Sequence, residues 1–289
     1  MSTTNRVIKS ILLPVDLSPA SENVIRFMEA LKKLGPIRVY LQHVIEAKII
    51  ERPAAGFNVI DLINDLESKA REKLEEYKKR LEKAGFQPEI IEIEVGEPAE
   101  KIALAAQKLD VSMIIMGYKG RGFLKKRLLG SVTEEIVNAC VKPTLVVKWV
   151  EHEKSFTVNP IIAALKLEGT LDEKVLAYAT DLASRLGSKL VLFHVVGEKE
   201  DRRRVEEKLG ELAGSIAKEG VNVEAIIWSG TPWIEIINAA RVLQAGLVVI
   251  GNDECHEGLG IQDIIKDFLR GSTAENVLRR SEAPVLVVK

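Results

Sequence analysis

The strongest chemical signature in this 289-residue chain is the stretch Gly117-Tyr118-Lys119-Gly120-Arg121-Gly122-Phe123-Leu124-Lys125-Lys126-Arg127-Leu128-Leu129-Gly130-Ser131-Val132-Thr133. Its glycines let the backbone bend and approach a ligand with no Cβ in the way. Gly130-Ser131 opens a helical pattern over Val132–Asn138, and a helix start offers unpaired N–H groups and a positive dipole end to an anion. Lys119, Arg121, Lys125, Lys126 and Arg127 lie between Gly117 and Gly130, with no acid among them. This composition suits a phosphate cradle. It is not a P-loop, because GxxxxGK[ST] is absent. It is not a dinucleotide fingerprint either, because it follows the fourth predicted strand and not the first. A solvated basic loop is the alternative reading.

Short apolar runs must position this loop. Ile11–Leu13, Tyr40–Val44, Met113–Met116 and Thr144–Lys148 are too short and too β-branched to prefer helix. Stretches at helical spacing lie between them, such as Val59–Ala84, and Pro98 stands where a first helical turn is expected. The second half restates the first. Ile161–Ala163 repeats Ile11–Leu13, and Val191–Val195 repeats Tyr40–Val44. Gly230-Thr231-Pro232 repeats Gly96-Glu97-Pro98, Leu247–Gly251 repeats Met113–Gly117, and Pro284–Lys289 repeats Pro143–Lys148. The expectation is α/β: two tandem, five-stranded, parallel, doubly wound, Rossmann-like domains, over residues 1–150 and 158–289. Residues 151–155 read as the linker. In such sheets ligands bind beyond the carboxyl ends of the strands.

The spacing Gly117-x2-Gly120-x9-Gly130-Ser131 resembles the universal stress protein pattern without a gap. Asp16 after the first strand, His43-Val44 ending the second and Pro143–Val147 as the last add to the resemblance. It spans nearly the whole chain as a tandem pair. For members with this loop intact it implies binding of ATP, with AMP and ADP as the other candidates and Mg as an accompanying ion. By this resemblance Asp16, with the backbone of Pro14 and Val15, serves the adenine or ribose end. Val44 contacts the base, and Met116 and Gly117 line the ribose. Gly120, Arg121, Gly130, Ser131, Val132 and Thr133 hold the phosphates. From the residues alone, Asp16 also reads as a turn acid or helix cap beside Ser18 and Pro19, and Met116 and Val44 as core.

The second copy departs at these positions. Lys166 stands for Asp16 and Glu254 for Gly120. The loop before Gly271-Ser272 is longer and rich in acids: Asp253, Glu254, Glu257, Asp263 and Asp267 against Lys266 and Arg270. Carboxylates beside a polyphosphate repel it. One nucleotide site per chain is therefore expected, in the first copy.

Net charge of −1 gives no basic field for nucleic acid. No run approaches a membrane span, and no secretory signal is read at the start, so a cytoplasmic location is expected. Cys140 and Cys255 have no metal-ligand spacing, so neither a disulfide framework nor structural zinc is expected. Asp253–Glu257 could suggest a metal site, but none is expected there, since consecutive residues converge poorly on one ion and no second ligand cluster is apparent. No Ser-His-Asp order, HExxH or nucleophile elbow is visible, so no catalytic residue is assigned. The functional expectation is a nucleotide-binding stress-response or regulatory protein. The alternative is a slow ATPase or another nucleotide-processing enzyme. The apolar last strands invite edge pairing, giving an internal pseudo-dimer of the two copies, with a homodimer of the whole chain left open. An insert of about 17 residues carries Arg52–Gly56 and is a candidate flap.

Overall fold

The computed structural model describes residues 6–51, 58–118, 129–148, 155–198, 200–253 and 272–289. The first copy runs β1 (Ser10–Pro14), α1 (Pro19–Ala30), β2 (Arg38–Gln42), β3 (Val44–Glu46), α2 (Ala47–Glu51), α3 (Val59–Lys83), β4 (Gln87–Ile90), β5 (Glu94–Gly96), α4 (Pro98–Lys108), β6 (Met113–Gly117), α5 (Ser131–Ala139) and β7 (Thr144–Val147). The second runs β8 (Ile161–Ala164), α6 (Gly169–Leu186), β9 (Leu190–Val196), α7 (Arg202–Lys218), β10 (Val223–Ser229), α8 (Pro232–Val242), β11 (Leu247–Gly251), α9 (Thr273–Arg280) and β12 (Val285–Val288).

Local sequence explains the helices. In α1, Ser18 caps the start by accepting the Ala20 N–H at 3.2 Å, and Pro19 fills the first turn. In α3, Ala70, Leu74, Tyr77 and Leu81 recur at helical spacing and form the buried stripe, as the sequence pattern predicts. Pro98 and Pro232 each open their helix. The central strands are buried on both faces, as parallel strands covered by helices must be.

All the longer strands join one ten-stranded sheet in the order β10-β9-β8-β11-β12-β7-β6-β1-β2-β4. Within each copy the order is third, second, first, fourth, fifth, and every pairing is parallel. The copies meet where β7 and β12 pair antiparallel, Thr144 with Val287, Leu145 with Leu286 and Val146 with Val285. Leu145 and Leu286 are equivalent residues, so an approximate twofold axis passes through that pair. The internal pseudo-dimer expected from the apolar last strands is therefore built into the sheet.

Polar contacts reinforce the junction. Tyr178 donates to the Ser112 carbonyl at 2.6 Å, and the buried Asp181 carboxylate accepts the Ile8 N–H at 2.9 Å. Arg185, 3.6 Å from Asp181, donates to the Ile8 carbonyl at 3.0 Å.

Two details were not foreseen. The second strand of the first copy breaks at His43, and β3 pairs with β5 as a separate two-stranded sheet. The equivalent β9 runs unbroken. Cys140, at the end of α5, is disulfide-bonded, which corrects the expectation drawn from cysteine spacing, because spacing along the chain does not report proximity in the fold. The candidate flap 52–56 lies outside the described residues.

Candidate functional site

The strand order places a topological switch point between β1 and β6, because the connections from these neighbours leave in opposite directions. Three elements converge beyond their carboxyl ends: the turn after β1, the end of β6 and the start of α5.

The β1 turn is tightly built. The Val15 N–H donates to the Gln42 carbonyl at 2.9 Å, prolonging the β1–β2 ladder past Pro14. Leu17 has a left-handed backbone, φ 59°. Asp16 stabilises the bend: its Oδ1 accepts the Ser18 N–H at 3.0 Å and the Ser21 hydroxyl at 2.7 Å, while its own N–H donates to Ser21 Oγ at 2.9 Å. The turn-acid role read from Asp-x-Ser-Pro is therefore present, carried by one carboxylate oxygen of a half-buried side chain. His43 donates from Nδ1 to the Val15 carbonyl at 2.8 Å, and His194 repeats this on Leu165 at 2.9 Å. Both histidines are buried and brace the turn, in keeping with a packing role.

At the end of β6, Met116 is buried against Leu12, Tyr40 and Ile136, and Gly117 is half-buried. Gly117 packs closely against α1. A Cβ there would sit 3.2 Å from Ala20 Cβ and 3.5 Å from the Ala20 carbonyl, so a side chain here would press on α1 by a few tenths of an ångström. Thr133, 4% exposed, donates to the Gly117 carbonyl at 2.8 Å and ties the first turn of α5 to the strand end. The Gly130 N–H donates to the Tyr118 carbonyl at 2.9 Å, so the chain on either side of the glycine loop meets here. Val44, half-buried, opens β3 beside β5.

Gly130 is the N-cap of α5 and has no side chain to cap with. Among the described residues, the first-turn N–H groups of Ser131, Val132 and Thr133 thus have neither a helical partner nor a side-chain cap. Ser131 is exposed. Gly120 and Arg121, with Lys119 and Lys125–Arg127, lie outside the described residues. Of the sequence-predicted set, Pro14, Val15, Asp16, Met116, Gly117, Gly130, Ser131, Val132 and Thr133 come from these converging elements, and Val44 follows the neighbouring strand.

The second crevice is built differently. Leu167 repeats the left-handed turn, φ 63°, but Asp172 on α6 now holds it, accepting the Lys166 N–H at 3.1 Å and the Glu168 N–H at 2.9 Å. Lys166 pairs with Asp253 at 2.6 Å, and this ammonium holds the Asp253 carboxyl below the usual carboxylate range. The helix start is also self-satisfied, since Ser272 caps α9 by accepting the Glu275 N–H at 3.1 Å. Glu254, Glu257, Asp263, Lys266, Asp267, Arg270 and Gly271 lie outside the described residues, as does most of Asp253–Glu257. Among the described residues no group of three or more His, Cys, Asp or Glu is placed to hold a metal ion. Trp228 packs edge-on to Phe193 at 5.4 Å, and Trp233 lies under Arg280 at 5.0 Å.

Sequence reasoning missed several residues. Ser21 completes the Asp16 turn and carries no signal beyond its proximity. The Lys166–Asp253 pair did carry one: the alignment sets Asp16 and Lys119 against Lys166 and Asp253, an exchange of sign at both positions. Tyr118, Lys148, Glu134 and Arg279 form a cluster between the copies. The Lys148 ammonium, 6% exposed, lies 3.6 Å from the Tyr118 ring centre and donates to the Leu278 carbonyl. Burial, with Arg279 nearby, pushes it down to about 7. Burial also raises the Tyr118 phenol.

The universal stress protein family model matches the chain twice, over residues 8–148 and 159–289. Universal stress protein MJ0577 of Methanocaldococcus jannaschii is 40% identical over 154 residues, 48% of this chain and 94% of that protein. A universal stress protein of Mycolicibacterium smegmatis is 26% identical over 297 aligned residues, 96% of each chain. A solved universal stress protein from Archaeoglobus fulgidus superposes with a TM-score of 0.79 at 27% identity, covering 97% of this chain and 98% of that one. With both copies matched and the fold shared along the full length, the chain belongs to the universal stress protein family as a tandem member.

Proposed function

We propose that the first copy binds an adenine nucleotide, ATP above AMP or ADP, and that the protein acts as a nucleotide-responsive stress or regulatory protein with one site per chain. One observation carries this reading. At the switch point, α5 begins on a glycine cap that leaves its first N–H groups to an outside partner, beside a loop whose sequence holds five cations and no acid. The residues fit a polyphosphate. Ser131, Val132 and Thr133 would hold it through N–H groups and the Ser131 hydroxyl, Gly130 by presenting no Cβ, and Gly120 and Arg121 by close approach and charge. Pro14, Val15, Asp16 and Val44 would receive the base and ribose, with Met116 and Gly117 beneath. A Mg ion would offset phosphate charge.

The second crevice supports the stoichiometry. Its lysine already has a carboxylate partner at 2.6 Å, and its helix start is capped by its own Ser272. A phosphate arriving there would have to displace both.

Calorimetric titration of the full chain with ATP tests this. One site per chain is expected, with affinity falling at least tenfold (about 1.4 kcal/mol) on Asp16→Ala or Gly130→Leu. Two equal sites would overturn the asymmetry, and no binding of any adenine nucleotide would overturn the reading. Among the described residues no helix is long and apolar enough to cross a membrane.

A further inference from the structure

The last turn of α9, in the second copy, reaches across the junction to the base of the first copy's crevice. Tyr118 donates its hydroxyl to the Arg279 carbonyl at 3.2 Å, while its own carbonyl accepts the Gly130 N–H. Lys148, over the Tyr118 ring, donates to the Leu278 carbonyl. Leu129, just before Gly130, is buried in a core cluster shared with Val277 and Leu278. Arg279 also pairs with Glu134 in the first turn of α5 at 2.5 Å and with Glu275 at 2.8 Å.

The equivalent positions make different contacts in the other direction. The residue equivalent to Arg279 is Asn138, whose buried Oδ1 has no hydrogen-bond partner among the described residues. The residue equivalent to Tyr118 is Asn252, whose Nδ2 donates to Cys140 Sγ at 3.6 Å. A twofold interface between identical copies would brace both crevices alike. Here the arginine and the tyrosine stand only at the first crevice.

Glu134 gives the bracing an electrostatic consequence. An acid in a helix's first turn favours the helix dipole, but it also repels any anion brought to the same N–H groups. Arg279 supplies the cation that offsets Glu134, and it comes from the other copy.

We propose that the second copy completes the first copy's phosphate site, with Arg279 and Tyr118 as positioning residues. Arg279 acts through Glu134 and Tyr118 through the base of the loop. This rests on the nucleotide reading of that crevice. It assigns the second copy a role that does not require it to bind nucleotide itself.

The test uses the full chain with Arg279→Met, Arg279→Lys, Glu134→Gln and the Arg279→Met/Glu134→Gln double variant. ATP and AMP affinities are measured by calorimetry, and amide exchange over residues 129–137 is followed without ligand. Arg279→Met is expected to weaken ATP about tenfold and AMP by about threefold or less, because repulsion from an exposed Glu134 grows with ligand charge. Arg279→Lys should keep most of the affinity, and the double variant should recover it. Exchange over 129–137 should quicken in Arg279→Met and in Tyr118→Leu. Equal losses for ATP and AMP, no recovery in the double variant, or unchanged exchange would each overturn the proposal. If the unaltered protein binds neither nucleotide while exchange still responds to Arg279→Met, the nucleotide reading fails and the bracing stands.

Discussion

Replacing Lys148 by methionine should make the protein more stable near neutral pH, by a margin that shrinks as the solution turns alkaline. The ammonium sits between the Tyr118 ring and the Leu278 carbonyl, and burial with Arg279 nearby lowers its pKa from 10.5 to about 7. In the window between these values the unfolded chain holds a proton that the folded chain has released. Stability therefore rises with pH across that window and is flat below it. The full window is worth about 5 kcal/mol, and the part between about pH 7 and about pH 9 roughly 3 kcal/mol. Methionine fills similar volume, does not titrate, and favours an aromatic neighbour. The groups acting on Lys148 do not confuse the result: Arg279 stays charged throughout, and the Tyr118 phenol is itself pushed upward. Urea unfolding of both proteins at about pH 7 and about pH 9 reads the difference directly. The excess stability of Lys148→Met should fall by roughly 3 kcal/mol over that interval. A gap that stays constant with pH would show that the folded protein holds the ammonium as firmly as water does, and the desolvation reasoning would be wrong.

Two further substitutions probe the scaffold. Asp181→Ala removes the acceptor of the buried Ile8 N–H and leaves Arg185 without its carboxylate; it should cost about 3 kcal/mol in urea unfolding, with Asp181→Asn milder because an acceptor remains. Gly117→Val puts a branched side chain where even a Cβ meets Ala20 at 3.2 Å; it should destabilise by about 1–3 kcal/mol and weaken nucleotide binding, and unchanged thermal unfolding would contradict the close helix approach.

The elements were legible because their causes are local. Continuous apolar runs required strands covered on both faces, and a stripe such as Ala70, Leu74, Tyr77 and Leu81 required a helix. The repeat made each assignment twice. The antiparallel β7–β12 junction could be anticipated from two apolar last strands, but its register depends on a twofold axis that no single strand encodes. The break at His43 was not legible, since Tyr40–Val44 and Val191–Val195 read alike and only the first is interrupted. For the candidate site, glycine and charge spacing pointed to the loop and to Asp16. They did not show that one oxygen of Asp16 is committed to Ser18 and Ser21.

The residues least visible in the sequence lie between the copies, and together they bear on what a second copy contributes to a tandem chain. Aligned positions in a repeat are commonly compared for what each retains, and by that measure Asn138 and Arg279 are two unremarked surface positions of a short helix. Across the twofold they have opposite consequences. Arg279 meets Glu134 and the Tyr118 hydroxyl meets its carbonyl, whereas the buried Asn138 oxygen has no hydrogen-bond partner among the described residues. A homodimer of single copies could not hold that difference, because any residue that braces one crevice must brace the other. Covalent tandem joining lets the two halves diverge, so one can keep a glycine-capped helix start while the other caps its own helix with Ser272 and spends its Lys166 on Asp253. The Lys166–Asp253 pair in the second crevice and the α9 arginine that meets Glu134 then belong to one asymmetry between the copies.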